Sequence, residues 1–333
     1  MNSTARTALV AGSTSAVAAF AASAVIRHQA LRPLISGPPL RPGAVAAPVP
    51  PALPPGMVRS LPGRGEVFVR DSGGAGTSES PAVLLLHGWT ASADINFFAV
   101  YASLAESYRV IGLDQRGHGR GLRSPEPFSL QDCADDAAAL LEQLGVGRAI
   151  VVGYSMGGPV GMLLARRHPG RVAALVMQAT ALEWHDTARE RGVWRLLPVF
   201  DLGLRLGFGA GFFEGVIDRA VDEDPELDRY RSWLAAEFQR ATARDLVATG
   251  RALSRYDARP WAGQLGIPAA VLVTTRDRLV PSAKQHELAK VLRASVLEVD
   301  ADHDLPLAKG GEYARLTRLS VDRTAAAAGR RDD

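Results

Sequence analysis

The sequence contains one cysteine, Cys133, and only three lysines, Lys284, Lys290 and Lys309; aromatic residues make up 6% of its 333 positions. A single cysteine excludes an intrachain disulfide and any cysteine-based metal cluster. Cys133 falls in an apolar helical pattern and reads as a buried spectator thiol, which leaves the redox compartment open. A charge of one sign is also missing. The 38 basic and 35 acidic residues give a formal charge of +3, although the pI is about 9.2. Arginines are scattered among Asp and Glu instead of forming the stripe or tail that a nucleic-acid binder concentrates, so no nucleic-acid partner is expected. No internal repeat is visible. Apolar residues at 47% and a mean hydropathy of +0.02 are enough for a substantial core.

The longest uncharged run is the twenty residues 7–26 between Arg6 and Arg27. About twenty residues can cross a bilayer, but eight of these are alanine, so three readings stand side by side. The run is an uncleaved membrane anchor, an export signal cleaved near Ala22-Ser23-Ala24, or a poorly ordered tail. Arg27, Arg32 and Arg41 follow it, so an inserted segment would keep its C-terminal side in the cytoplasm. From Pro33 to Pro55 nine of 23 residues are proline, the composition of an extended spacer. Residues 1–57 are therefore read as apolar segment plus linker, with the folded domain starting near Val58.

Beyond that point short apolar runs alternate with helical stretches. Strands are expected at 66–70, 82–87, 109–113, 149–154, 173–178, 270–275 and 296–299, several of them continuously apolar, as strands covered on both faces are. Helices are expected at 97–107, 130–144, 158–167, 282–292 and 311–326, the second opening at Ser129 and closing at Gly145. This alternation implies an α/β fold with a mainly parallel, doubly wound sheet. Residues 182–262 interrupt it with helical pattern alone. They read as a helical cap inserted between strands, with 58–181 and 263–333 forming the core. The cap would sit over the C-terminal edge of the sheet, where open α/β sheets bind ligands.

Gly153-Tyr154-Ser155-Met156-Gly157 lies between the strand at 149–154 and the helix at 158–167. A strand–turn–helix of this kind is tight enough to require glycine at 153 and 157, and it presents a serine hydroxyl at a positive helix N-terminus. Serine needs a base within hydrogen-bond reach. His28 lies in the tail, His87 and His118 in turns, His168 at a helix end, His185 at the start of the cap and His286 on a helix. His303 remains, in a loop after the last strand. Asp277, at the end of the preceding strand, is the expected third member; Glu183 and Asp186 are the alternatives after an earlier strand. The amides of Met156 and Trp89 are expected to receive the developing oxyanion, each such donor being worth about two to three powers of ten in rate.

Together His87-Gly88, Asp114-Gln-Arg-Gly-His-Gly119, Gly153-Tyr-Ser-Met-Gly-Gly158 and Asp277 followed by His303 resemble the α/β-hydrolase superfamily, in its esterase, lipase and haloperoxidase-like branch. The resemblance covers about residues 67–319. It implies Ser155, Asp277 and His303 as triad, Trp89 and Met156 as oxyanion donors, and a structural role for Asp114 and Arg116. Two departures stand out: Arg120-Gly121 where relatives often have serine, and Asp304-Leu-Pro after the histidine, where Asp304 would raise the basicity of His303.

The expected function is hydrolysis of a carboxylic ester through an acyl-enzyme, with no cofactor and no metal. The cap carries Trp184, Trp194, Leu196, Leu197, Phe200, Leu206, Phe208, Phe212 and Phe213, with Gly207, Gly209 and Gly211 among them. It is read either as a lid for a hydrophobic acyl substrate or as a helical unit with a core of its own. Two alternatives stay open: the same fold acting on amides or thioesters or as a perhydrolase, and a non-catalytic, membrane-recruited binding protein. Oligomeric state is not legible.

Overall fold

The computed structural model describes residues 49–50, 53–74, 82–205 and 209–332. The segment 7–26, most of the proline-rich spacer, and Leu206, Gly207 and Phe208 lie outside the described residues. Eight strands form one sheet: β1 (Gly56–Leu61), β2 (Gly65–Asp71), β3 (Ala82–Leu86), β4 (Val110–Leu113), β5 (Ala149–Tyr154), β6 (Val172–Gln178), β7 (Ala269–Thr274) and β8 (Ser295–Val299). Their order is β1-β2-β4-β3-β5-β6-β7-β8. β1 and β2 pair antiparallel with each other, as β2 does with β4, and every pairing from β4 to β8 is parallel.

Every residue of β3, β5 and β6 is buried, which explains their unbroken apolar runs. Alternation on β3 divides the core. Leu84 and Leu86 face one layer with α3 (Leu130–Gln143), α4 (Gly157–Arg167) and α10 (Ser282–Leu292). Val83 and Leu85 face the other, with α1 (Ala93–Phe97), α2 (Tyr101–Ala105) and α12 (Gly310–Asp332). Helices on both faces make the sheet doubly wound. α3 starts where Ser129 Oγ accepts the Asp132 amide at 3.0 Å and stops at Gly145, whose φ is +67°. Cys133 is buried on this helix.

β1 is an exposed edge strand that no apolar pattern announced. It begins at Gly56, so the expected boundary at 57/58 falls inside a strand. The expected helix at 97–107 is two short ones, α1 and α2, because Ser92 caps an earlier start by accepting the Ile95 amide at 3.3 Å.

Between β6 and β7 the chain is helical: α5 (Ala188–Arg195), α6 (Leu197–Arg205), α7 (Gly209–Glu223), α8 (Arg231–Phe238) and α9 (Ala243–Leu253). Phe213, Ile217, Trp233, Leu234, Phe238 and Leu246 pack with Ala91, Ile95 and Leu307, which belong to the loops and short helices after β3 and β8. The cap thus rests on the C-terminal edge of the sheet. One further short helix, α11 (Leu305–Ala308), precedes α12. Among the described residues no helix is long and apolar enough to cross a membrane.

Candidate active site

The order of the strands decides where the chemistry gathers. From β3 the chain moves first to β4 on one side and then to β5 on the other, so the loops after β3 and β5 part at a switch point. Ser155 emerges there with φ +51°, a left-handed conformation that a non-glycine residue adopts only under constraint. The constraint is visible. The Ser155 amide donates to the Gln178 carbonyl of β6 at 2.9 Å, and Gly158 donates back to the Ser155 carbonyl at 2.9 Å. A Cβ at Gly157 would lie 1.9 Å from the Leu86 carbonyl oxygen, and one at Gly153 would lie 2.4 Å from the Gly157 carbonyl oxygen. Both glycines therefore let two backbones touch.

The three residues singled out from different strand ends come together. Ser155 Oγ lies 3.0 Å from His303 Nε2, and His303 Nδ1 lies 2.8 Å from Asp277 Oδ2. Asp277 is buried and held on both oxygens. Oδ1 accepts the amides of Leu279 at 2.9 Å and Val280 at 2.7 Å, and Oδ2 accepts Thr274 Oγ1 at 2.8 Å. Burial by itself would lower the basicity of His303. The charge of Asp277 and its hydrogen bond, then Asp302 and Asp304, outweigh that and hold the imidazole above its ordinary value. Asp302 turns away from the ring, accepting Arg278 Nε at 2.5 Å. Asp304 has its own carboxyl raised by burial and by Asp302.

Glu183 and Asp186 are not brought to the imidazole. Glu183 accepts the amides of His185 at 2.7 Å and Asp186 at 2.8 Å and pairs with Lys284. His286 sits at the surface, 3.3 Å from Glu298.

Gly88 backs directly onto Ser155: a Cβ there would lie 3.1 Å from Ser155 Cβ. The Trp89 amide follows it, and the Met156 amide opens α4; neither has a hydrogen-bond partner among the described residues. The peptide before Trp89 is fixed from behind. His87 Nδ1 lies 2.8 Å from the Gly88 carbonyl, Nε2 accepts the Gln115 amide at 3.0 Å, and Asn96 Oδ1 accepts the Gly88 amide at 2.7 Å. Because C=O and N–H point opposite ways across a trans peptide, a carbonyl aimed at His87 turns the Trp89 N–H away from that ring. Burial drives the His87 imidazole down to about 4, so it is a neutral donor at Nδ1. Sequence reasoning assigned His87 to an ordinary turn; the His-Gly pair itself was the available signal. Asn96 carried none.

Asp114 and Arg116 buttress the loops. Asp114 accepts the amides of Ala93 and Arg120, both at 2.8 Å, and Arg116 pairs with Asp136 at 2.6 Å. Arg120, the departure from the usual serine, ties this platform to the cap. Its guanidinium reaches Asp94 at 2.8 Å and Glu237 of α8 at 3.0 Å. The cap also grips Trp89, whose indole N–H donates to the Leu246 carbonyl at 2.9 Å while Trp194 and Phe200 pack at 5.8 and 6.0 Å from its ring. Of the other apolar cap residues, Phe213 stacks on Phe238 at 4.8 Å inside the cap's own core, whereas Leu196 is exposed. Among the described residues no cluster of His, Cys, Asp or Glu is arranged to hold a metal.

A family model described as alpha/beta hydrolase fold matches residues 81–309. The chain is 32% identical over 233 residues to the provisionally named non-heme haloperoxidase of Mycobacterium phage D29, an alignment covering 66% of this chain and 80% of that protein. It is 28% identical over 212 residues to the 3-oxoadipate enol-lactonase 2 of Acinetobacter baylyi, covering 61% of this chain and 74% of that one. Among solved structures, the enol-lactonase from Burkholderia xenovorans LB400 superposes with a TM-score of 0.69 at 22% identity, covering 80% of this chain and 100% of its own. At that identity the superposition speaks for the fold alone.

Proposed function

The chain belongs to the alpha/beta hydrolase family, and we propose that it acts there as a serine hydrolase on a carboxylic ester. The observation that carries this reading is the unbroken relay from Ser155 Oγ through His303 to Asp277, at 3.0 and 2.8 Å. His303 Nε2 takes the Ser155 proton as Oγ attacks the ester carbonyl. Asp277 holds the ring in the tautomer with hydrogen on Nδ1 and stabilises the imidazolium. The carbonyl oxygen, now negative, is received by the Trp89 and Met156 amides. His303 then protonates the departing alcohol, leaving an acyl group on Ser155. Water, deprotonated by the same imidazole, releases the acid and restores the serine.

The helices between 182 and 262 serve as a cap over this site, and the Trp89–Trp194–Phe200 cluster supports an apolar acyl or ester substrate. A lactone is an internal ester, so a relative named as an enol-lactonase fits the same chemistry. Perhydrolysis, with peroxide in place of water at the second step, is the second reading, favoured by the relative named as a haloperoxidase.

A fluorophosphonate probe should label the full chain at Ser155, and Ser155→Ala should abolish labelling; a labelled alanine variant refutes the assignment. Hydrolysis rates on esters and lactones of graded acyl length, with and without peroxide, separate the two readings.

A further inference from the structure

The sheet does not by itself bring the nucleophile and base together. β5, which ends just before Ser155, and β8, which precedes His303, are separated by β6 and β7, three ladder spacings or roughly 14 Å. The loop after β8 must reach back across two strands, and something must hold it there. Tyr154, the residue immediately before the nucleophile, spans the gap. Its phenol donates to the main-chain carbonyl of His303 at 2.8 Å. Its ring lies 5.6 Å from the imidazole, centroid to centroid, and 5.7 Å from Tyr313, which closes the other side.

We propose that Tyr154 is a positioning residue for the base: by holding the His303 carbonyl it sets the Ser155–His303 separation from the same turn that sets the serine. This rests on the serine-hydrolase reading above. Tyr154 and Ser155 are adjacent residues, so a shift of β5 moves nucleophile and base together. His303 is fixed on the other side of its Cα as well, where its amide donates to Asp302 Oδ1 at 2.8 Å. Asp302 in turn accepts the Arg278 amide at 2.9 Å, next to Asp277. The chain of contacts thus runs from Ser155 through Tyr154, His303, Asp302 and Arg278 to Asp277. The phenol is buried and remains a protonated donor across the working range, since burial, then Tyr313 and the three aspartates, push its ionisation up. Tyr154 touches no reacting atom; it acts through His303.

The test compares Tyr154→Phe with the wild-type full chain, using Tyr256→Phe as reference for the loss of a buried hydroxyl. Tyr256 is buried with no partner for its hydroxyl among the described residues, and it belongs to none of the site's contacts. With Tyr154→Phe the ring remains and one hydrogen bond goes, so kcat on a hydrolysed ester should fall about tenfold with KM nearly unchanged. A looser histidine loop weakens the Asp277 contact, so the acid limb of the kcat/KM profile should move to lower pH by about half a unit or more. Tyr256→Phe should shift neither. Unchanged kcat and pH profile in Tyr154→Phe overturn the proposal. So does a fall in rate that merely follows a lower Tm while the pH profile stays fixed, the mark of a packing role alone. Fluorophosphonate labelling separates this failure from failure of the parent reading. If wild type is labelled at Ser155 while Tyr154→Phe behaves as wild type, only the strut is wrong. If Ser155 is never labelled, the reading and the strut fall together.

Discussion

The loops after β3 and β8 each bring a histidine to the sheet edge where Ser155 emerges, and they drive it in opposite directions. His87 is fully buried with backbone partners: the Gly88 carbonyl on one nitrogen, the Gln115 amide on the other. Desolvation dominates, and its imidazole falls to about 4. His303 also loses water, but Asp277, Asp302 and Asp304 surround it and lift it above the ordinary value. The same side chain is a neutral strut in one loop and, in the other, the base of the proposed mechanism. What separates them is the number of carboxylates within reach.

Removing the charge that separates them should have the largest effect. Asp277→Asn keeps the shape but withdraws the anion, and kcat/KM should drop by about three to four powers of ten, as loss of the orienting acid does in such relays. Steady-state assay and a pH profile check it; a loss under tenfold would mean that another acid serves His303. Breaking the neutral strut should cost less. His87→Leu leaves the Gln115 amide unpaired in the interior and the Gly88 carbonyl with only the Ala91 amide at 3.4 Å, which should destabilise the fold by about 1–3 kcal/mol. It should also loosen the Trp89 amide and lower kcat by about ten- to a hundredfold. Urea unfolding and initial rates measure the two, and an unchanged kcat would detach His87 from the oxyanion peptide.

A change of pH sharpens the contrast through stability. His87 at about 4 and the equally buried His118 at about 3 bind protons more weakly folded than unfolded. Their contribution is whole above the unfolded value near 6.5 and drains as pH falls below it toward those folded values, by up to about 1.4 kcal/mol per histidine per unit. His303 has the opposite sign: its raised folded value stabilises below the unfolded one, and that contribution is lost as pH rises through the folded value. Unfolding free energy measured from pH 7 to 4 should therefore fall, and His87→Leu should flatten the decline.

Much of this was legible in the chain. β5 is bounded as its run Ala-Ile-Val-Val-Gly-Tyr suggests, and α10 begins and ends where the pattern places it, because continuous burial and amphipathic spacing are written locally. That Ser155, His303 and Asp277 lie together could be read from the chain because each follows a strand, and strand ends on a parallel sheet share an edge. β1 escaped because an edge strand with exposed polar residues has no apolar signature. The break between α1 and α2 was missed although Ser92 and Asp94 carry the signature of an earlier helix start. Tyr154 could be placed beside the nucleophile, but its partner is 149 residues away and only the folded chain shows it.

Cys133 offers a practical consequence. Its thiol is sealed inside α3 and pushed up by burial and then by Asp136, so it stays uncharged and out of reach of alkylating reagents. The native chain is therefore a blank background for thiol chemistry. A cysteine placed at Val199, exposed on the cap, would be the only reactive sulfur in the protein. A dye attached there could report the cap's movement against the core without removing any native residue from the interior.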